Sequence, residues 1–489
     1  MSTGIKYIST RGGAEASASR AVIDGIAPNG GLYVPTEFVK LDYKTLFGLD
    51  YAARCDRVLR AFFDFDIEGI ADDAYTDFED GDPAPAVKLD DKLFVLELWH
   101  GKTHAFKDMA LSVLPRLLCA AKKAEGDGDK TLVLVATSGD TGKAALEGFK
   151  DVEGTSVCVF YPTDGVSRVQ KLAMQTQAGD NVNAVGVVGN FDDAQSAVKI
   201  AFSDGALGEK LKAAGVRLSS ANSINIGRLV PQVAYYFSTY CDLVDSGEIK
   251  AGEKIDFVVP TGNFGNILAG YYALRMGLPV NKLVCASNKN NVLSDFVTGG
   301  IYDANREFFK TSSPSMDILV SSNLERLIFE LSGRNAALTA ERMAELKATG
   351  RYEITAGEHE KMREVFACGY ADEGETETAI ADMFDEYGYL IDPHTAVAYS
   401  VAKRRGFSRP TVVVSTANPY KFAPAVLKAL GEKTAGDANE KMLEKLCDIT
   451  AMDIPESLIG VFGEKIRFNE TVDSKDILGY ITRRYSMDR

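Results

Sequence analysis

At 489 residues the chain exceeds what one hydrophobic core normally organises, so we expect two or three domains or lobes. Its formal net charge of −15 argues against a nucleic-acid partner, because phosphate recognition requires clustered lysine and arginine. The seven cysteines include no C-x-x-C pair, which excludes a zinc-finger-type site and a disulfide framework. We find no bilayer-length apolar segment and no signal-peptide pattern, and therefore expect a cytoplasmic protein with no membrane partner.

Two changes of composition divide the chain. The first part contains helical runs at 43–49 and 51–63 and an acidic stretch that ends in the turn-forming sequence G-D-P-A-P at 81–85. A second change follows residue 430, before a charged helical run near 438–447. We predict an N-terminal domain that is mainly helical, a catalytic domain and a C-terminal tail that packs on it, over residues 1–90, 91–435 and 436–489.

The sequence H-G-K-T-H-A-F-K-D at 100–108 follows an apolar, strand-like run. A free lysine is a poor nucleophile at neutral pH, but a lysine in an aldehyde-cofactor pocket can bind that cofactor covalently and move protons. Lys107 is therefore a candidate cofactor lysine. His100 and His104 have the spacing of a zinc-binding helix, yet Gly101 replaces the glutamate of that motif, and we predict no metal site.

Three strand-like runs each lead into a polar turn, at 131–136, 257–260 and 411–414. Runs rich in valine without alternation favour strands buried on both faces, and their alternation with helical stretches predicts an α/β fold with a parallel sheet. Ligands bind beyond the carboxyl ends of such strands, where we expect the three turns to converge.

Each motif also has a purely structural interpretation. The turn at 137–142 lacks the P-loop spacing and the turn at 261–266 lacks G-x-G-x-x-G, so either one alone indicates only a strand-to-helix turn able to bind an anion. His394 is interpreted as a helix-capping residue rather than a general base. Arg228 either contacts a phosphate or is an ordinary surface arginine.

Taken together, the motifs resemble the threonine synthase family from residue 7 to about residue 424, in family order. They are Y-I-S-T-R-G-G, A-P-N-G-G-L-Y-V-P, H-G-K-T-H-A-F-K-D, A-T-S-G-D-T-G, N-S-I-N-I-G-R, V-P-T-G-N-F-G-N, P-S-M-D-I, D-P-H-T-A-V and S-T-A-N-P-Y-K-F. The resemblance implies an α/β parallel-sheet fold of the type II, tryptophan synthase β-like class, with two lobes and an N-terminal domain. It also implies pyridoxal 5′-phosphate as cofactor and a small lobe over about 130–230 that closes on it.

The resemblance also implies roles for individual residues. Lys107 would hold the cofactor covalently and act as the main acid and base, and Asp140 would lie near the cofactor's 3′-hydroxyl. Thr416, helped by Ser415, would meet the pyridine nitrogen. The cofactor phosphate would be bound by backbone N–H groups of Gly262, Asn263, Phe264, Gly265 and Asn266. Ser138 and Thr141 would bind the substrate carboxylate, and the candidates for the substrate phosphate are Asn222, Arg228 and Lys102.

The activity that the resemblance implies is conversion of O-phospho-L-homoserine and water to L-threonine and phosphate, the last step of threonine biosynthesis. One alternative is a phospho-lyase that releases 2-oxobutyrate, ammonia and phosphate. Another is a non-catalytic binding protein on the same scaffold, against which Lys107 and the complete glycine turn both argue. We expect a monomer or homodimer. The sequence departs from many relatives at Lys102, His104 and Asn418.

Overall fold

The computed structural model describes residues 4–137, 139–163, 166, 168–189, 191–434, 436 and 438–486. The strands of these residues form four sheets. Strands β1 to β16 are Lys6–Ser9, Ala16–Ser17, Tyr33–Pro35, Ala86–Asp90, Leu93–Glu97, Lys130–Ala136, Thr155–Pro162, Val182–Val188, Val216–Ser219, Ile255–Pro260, Val280–Ser287, Ile301–Asp303, Arg351–Glu353, Phe366–Tyr370, Thr411–Ser415 and Thr471–Asp473.

Helices surround these sheets. Helices α1 to α11 are Ala18–Asp24, Tyr51–Arg60, Ile70–Tyr75, Lys107–Leu111, Leu114–Glu125, Asp140–Phe149, Arg168–Gln175, Phe191–Ser203, Gly205–Ala213, Ile226–Leu229 and Pro231–Asp245. Helices α12 to α22 are Gly265–Met276, Val292–Gly299, Leu324–Leu331, Ala336–Thr349, Ala356–Val365, Glu373–Tyr387, Pro393–Arg405, Ala423–Ala429, Glu440–Thr450, Glu456–Ile459 and Ile477–Tyr485. Within the described ranges, no helix combines the length and apolar composition needed to cross a bilayer.

The N-terminal region contains helices α1, α2 and α3 and a small antiparallel sheet in the order β2-β1-β3. The helical run predicted at 51–63 is confirmed as α2, which Asp50 caps by accepting a hydrogen bond from the Ala53 N–H at 2.8 Å. The run at 43–49 is a 3₁₀ turn, Tyr43–Leu46. The three strands were not predicted, because strands of two to four residues carry too little periodicity to be recognised.

The large sheet has six strands in the order β14-β11-β10-β15-β5-β4, all parallel except the edge strand β4. Successive residues of β15 pack into different hydrophobic cores. Val412 and Val414 pack in the core shared with the N-terminal region, whereas Val413 packs against helices α17, α18 and α19 on the other face. Burial on both faces explains why this strand is an uninterrupted apolar run.

A second, fully parallel sheet of five strands has the order β16-β8-β7-β6-β9. The strand predicted at 131–136 lies here as β6, in a different sheet from β10 and β15. The three polar turns therefore follow strands of two sheets rather than one. The sequence could not predict this difference, because an apolar run does not reveal which strands pair with it. The fifth strand, β16, comes from the C-terminal tail. The predicted α/β class with a parallel sheet and two lobes is confirmed.

Candidate active site

Lys107 is the first residue of α4 and lies beside the end of the large sheet. Only 12% of its side chain is exposed. The Phe106 N–H donates to the Thr416 carbonyl at 2.9 Å, and Ala105 forms a bridge with Ala417. The lysine loop is thus fixed to the turn that follows β15, so two segments far apart in the sequence build one site.

The loop before Lys107 is closed by Asp108. The buried Asp108 carboxylate accepts hydrogen bonds from the Thr103 N–H at 2.8 Å and the Thr103 hydroxyl at 2.6 Å. Burial raises the pKa of Asp108 to about 6. A side chain at Gly101 would place its Cβ 2.6 Å from Asp108, so only glycine fits there. Gly101, Thr103 and Asp108 of the motif therefore shape the loop that presents Lys107.

Two groups lie beside the Lys107 amine. Its Nζ donates to the Ser315 Oγ at 3.3 Å and lies 3.8 Å from Asp140 Oδ2. Asp140 begins α6, after the turn from β6. Burial lowers the pKa of Lys107, which favours the neutral amine. The structure therefore places the carboxyl end of β6 against the lysine, although β6 belongs to the other sheet.

A second lysine reaches the same carboxylate. Lys421 Nζ lies 3.0 Å from Asp140 Oδ1 and donates to the Thr103 carbonyl at 2.6 Å. Gln170 Nε2 also donates to Asp140 Oδ1, at 3.2 Å. Burial alone would raise the pKa of Asp140, but Lys421 and Lys107 outweigh it and hold that pKa far below its usual range.

The glycine turn after β10 presents free backbone donors. No backbone N–H from Gly262 to Asn266 donates a hydrogen bond to any described residue. Phe264 has a left-handed φ of 64°, and α12 begins at the next residue, so these N–H groups gather at a helix N-terminus. A Cβ at Gly262 would lie 2.7 Å from the Ser315 carbonyl oxygen, so Ser315 connects this turn to Lys107.

Asn266 adds a side-chain donor to the turn. Its Oδ1 accepts hydrogen bonds from the hydroxyls of Tyr235 at 2.7 Å and Tyr236 at 2.8 Å. These two bonds fix the orientation of the amide. Its Nδ2 is buried and has no hydrogen-bond partner among the described residues. Because a buried unpaired donor is costly, the side chain fits a ligand that carries an acceptor.

Ser315 is itself held by a histidine. The Ser315 N–H donates to His394 Nε2 at 3.1 Å, and His394 Nδ1 lies 2.6 Å from Asp392 Oδ2. Because Nε2 accepts, the ring proton resides on Nδ1 and donates to Asp392. Asp392 also caps α18. His394 thus lies at the N-terminus of α18 and contacts the backbone of Ser315. It does not contact Lys107 directly.

Comparison with known proteins identifies the family. The model of pyridoxal-phosphate dependent enzymes matches residues 82–417, and the models of the threonine synthase N terminus and C-terminal region match residues 6–75 and 395–473. The chain is 40% identical over 439 residues to the threonine synthase of Pseudomonas aeruginosa, which covers 87% of this chain and 90% of the relative. The chain belongs to the threonine synthase family.

Two further relatives agree. The chain resembles the structure of a PLP-bound threonine synthase from Brucella melitensis, with a TM-score of 0.89, 35% identity and coverage of 99% and 100% of the two chains. It is 40% identical over 453 residues to human threonine synthase-like 1, over 89% of this chain. The match spans 61% of the length of that human relative. The predicted type II fold, the pyridoxal-phosphate dependence and the recognition of the family are confirmed.

The site fits pyridoxal 5′-phosphate, the cofactor of this family. A phosphate requires several N–H donors, which the turn from Gly262 to Asn266 and the unpaired Asn266 amide supply. The Ser415 hydroxyl oxygen accepts hydrogen bonds from Trp99 at 3.0 Å and Thr395 at 3.1 Å, which fix its position and leave its own proton available to donate. No described residue hydrogen-bonds the buried Thr416 hydroxyl, so it too is a candidate donor to the pyridine nitrogen.

The predicted substrate-side residues have different environments. Arg228 is buried, and its Nη1 donates to the Ala221 carbonyl at 2.8 Å. Its Nε has no hydrogen-bond partner in the described structure, and burial lowers its pKa to about 10, so it remains a cation. Asn222 and Lys102 are exposed, and Thr141 is partly buried on α6 beside Asp140. Ser138 lies outside the described residues. The roles of these residues stay predictions.

Three residues of the site were missed by the sequence analysis. Lys421 and Ser315 lie inside motifs that carried the resemblance, S-T-A-N-P-Y-K-F and P-S-M-D-I, so a signal for them existed. Gln170 lies in no such motif, and only its hydrogen bond to Asp140 reveals it.

The two histidines of the zinc-like spacing have other partners: His100 contacts Glu97 at 2.7 Å, and His104 contacts Ser457. The described residues contain no cluster of three or more potential metal ligands.

Proposed function

We propose that the chain is a threonine synthase that converts O-phospho-L-homoserine and water to L-threonine and phosphate. The observation that carries this proposal is the partly buried Lys107 amine, connected through Ser315 to a turn of free N–H donors. The overall reaction releases phosphate from the γ carbon and adds water at the β carbon. It therefore needs a group that moves protons and a second anion site near it.

Lys107 is assigned the proton transfers. Pyridoxal phosphate, when bound, supplies the electron sink that acidifies the substrate's Cα–H. Because the pKa of Lys107 is lowered, its amine is neutral over a wider pH range and can accept that proton. Ser315 and Asp140, which contact Nζ at 3.3 and 3.8 Å, would hold the amine in position.

Arg228 is assigned to the second anion. It is a buried cation with an unpaired Nε, and it lies close enough to affect the Lys107 amine electrostatically. An arginine suits the phosphate of the substrate, since its guanidinium can donate several hydrogen bonds at once. Thr141 is assigned to the substrate carboxylate, because it lies in the first turn of α6, where a helix N-terminus favours negative charge. Ser138 is assigned to the same carboxylate on the family resemblance alone.

We further propose the three-part division at residues 90 and 435, a cytoplasmic location and a monomeric or homodimeric state without nucleic-acid or membrane partners. The separate sheet of β6 to β9 supports a small lobe over about 130–230 that closes on the cofactor and excludes water. The pairing of β16 with β8 supports a tail that packs on the catalytic domain.

Product analysis tests the reaction. Purified protein incubated with O-phospho-L-homoserine is expected to release L-threonine and inorganic phosphate in equal amounts, measured by chromatography and a phosphate assay. Homoserine without the phosphate is the matched control, and it should give no threonine because its hydroxide is a poor leaving group. Release of 2-oxobutyrate and ammonia in place of threonine would contradict the proposal and indicate a phospho-lyase.

A further inference from the structure

Lys421 lies in the site but takes no part in the proposed proton transfers or substrate contacts. It belongs to the 3₁₀ turn Pro419–Phe422 after β15, and only 9% of its side chain is exposed. Its amine contacts Asp140 at 3.0 Å, while the Lys107 amine lies 3.8 Å from the other oxygen of the same carboxylate. One buried carboxylate is therefore shared by two amines.

The arrangement poses an electrostatic problem for Lys107. A lone carboxylate within about 4–6 Å of a lysine favours the charged ammonium and shifts its pKa by about 1–3. A lysine that must be neutral to react therefore needs a second positive charge nearby that offsets the effect of the carboxylate on its pKa. Lys421 is closer to the carboxylate than Lys107 is, and its second contact, the Thr103 carbonyl, fixes it there.

We propose that Lys421 is a positioning residue that neutralises Asp140, so that Lys107 faces an ion pair rather than a lone carboxylate. Its benefit to catalysis rests on the proposed role of Lys107, but the electrostatic effect does not. Lys421 thus lets Asp140 remain charged and anchored without converting the neighbouring amine to an ammonium ion.

The other charges around Lys107 agree with this role. Burial lowers the pKa of Lys107, Asp140 raises it, Lys421 and Arg228 lower it, and Asp108 raises it. The contribution of Lys421 opposes that of Asp140. Removing Lys421 should therefore raise the pKa of Lys107, because the positive charge that offsets Asp140 is lost. Removing the charge of Asp140 should lower it.

The experiment measures the ionisation of Lys107 in cofactor-free protein. Trace acetic anhydride acetylates neutral amines, and mass spectrometry of the peptide that contains Lys107 gives its labelling rate at each pH. Lys421→Met should raise the pH midpoint of labelling by about 1, and Asp140→Asn should lower it by a similar amount. The double variant, K421M with D140N, should have a midpoint between those of the two single variants, because it removes two charges with opposite effects on Lys107.

Controls separate charge from structure. Lys421→Arg keeps the charge and should leave the midpoint near the wild-type value. Lys421→Gln keeps a donor for the Thr103 carbonyl without the charge and should behave like Lys421→Met, which provides a second neutral variant if the methionine does not fold. Lys445→Met, at a surface lysine paired with Glu432 at 2.6 Å, should have no effect.

An unchanged midpoint in both neutral variants would overturn the proposal. So would shifts of the same sign for the Lys421 and Asp140 variants, since that result would indicate loosening of the loop rather than charge compensation. Failure of the proposed catalytic role of Lys107 would be visible separately, as cofactor bound elsewhere while these midpoint shifts persist.

Discussion

Replacing Lys107 with alanine is expected to abolish the visible absorbance of the covalently held cofactor and to reduce kcat by about 10⁴-fold or more. The lysine would supply both the covalent attachment and the proton transfers. Lys421, the neighbouring amine, is not placed to substitute directly, because it is held by Asp140 and the Thr103 carbonyl. Absorbance spectra and steady-state assays of the purified variant check this result.

A surface lysine provides the control for this change. Lys403→Ala removes a side chain that is 41% exposed and pairs with Asp382 at 3.1 Å, away from the site. That variant should retain both the absorbance and the activity of the wild type. Persistent turnover in Lys107→Ala would refute the assignment of Lys107, whatever the absorbance showed.

Gly262→Ala is expected to weaken cofactor binding by about 10- to 100-fold. The new Cβ would lie 2.7 Å from the Ser315 carbonyl oxygen, a backbone atom that must move to relieve the clash. Ser315 also contacts Lys107, so its displacement changes the positions of both the phosphate turn and the lysine. Misplacement of a positioned group by about 1 Å can lower the catalytic rate about 100-fold, so activity should also fall. Titration of cofactor-free protein with pyridoxal phosphate measures the dissociation constant.

Gly299→Ala is the matched glycine control. Gly299 ends α13, and a Cβ there would have no neighbouring atom within 4 Å. This variant should bind the cofactor as tightly as the wild type. Equal affinity of the two alanine variants would contradict the view that close approach of Ser315 is what requires glycine at position 262.

Much of the fold could be predicted because burial leaves a direct signal. The runs at 131–136, 257–260 and 411–414 are strands within two residues of the predicted bounds, since both faces of each strand are covered by apolar side chains. Strand pairing leaves no comparable local signal. The separation of β6 from β10 and the addition of β16 to the small sheet both depend on contacts between distant segments.

The same distinction applies to the site. The motifs that contain Lys107 and the glycine turn are local in the sequence, so they can be recognised before the fold is known, and the roles of their residues stay predictions. The charge arrangement around Asp140 could not, since Lys421, Lys107 and Gln170 are far apart in the sequence and meet only after folding. The pKa shifts of Asp140 and Lys107 depend on burial, and no sequence pattern indicates that a charged pair is buried.

Lys107 is proposed to carry the cofactor. Reduction of the native protein with borohydride fixes the cofactor to its lysine, and peptide mass spectrometry then locates the modified residue. We expect the modification on the peptide that contains Lys107 and on no other lysine. Modification of Lys421, the neighbouring amine on the same carboxylate, or of a lysine remote from the glycine turn would contradict the account.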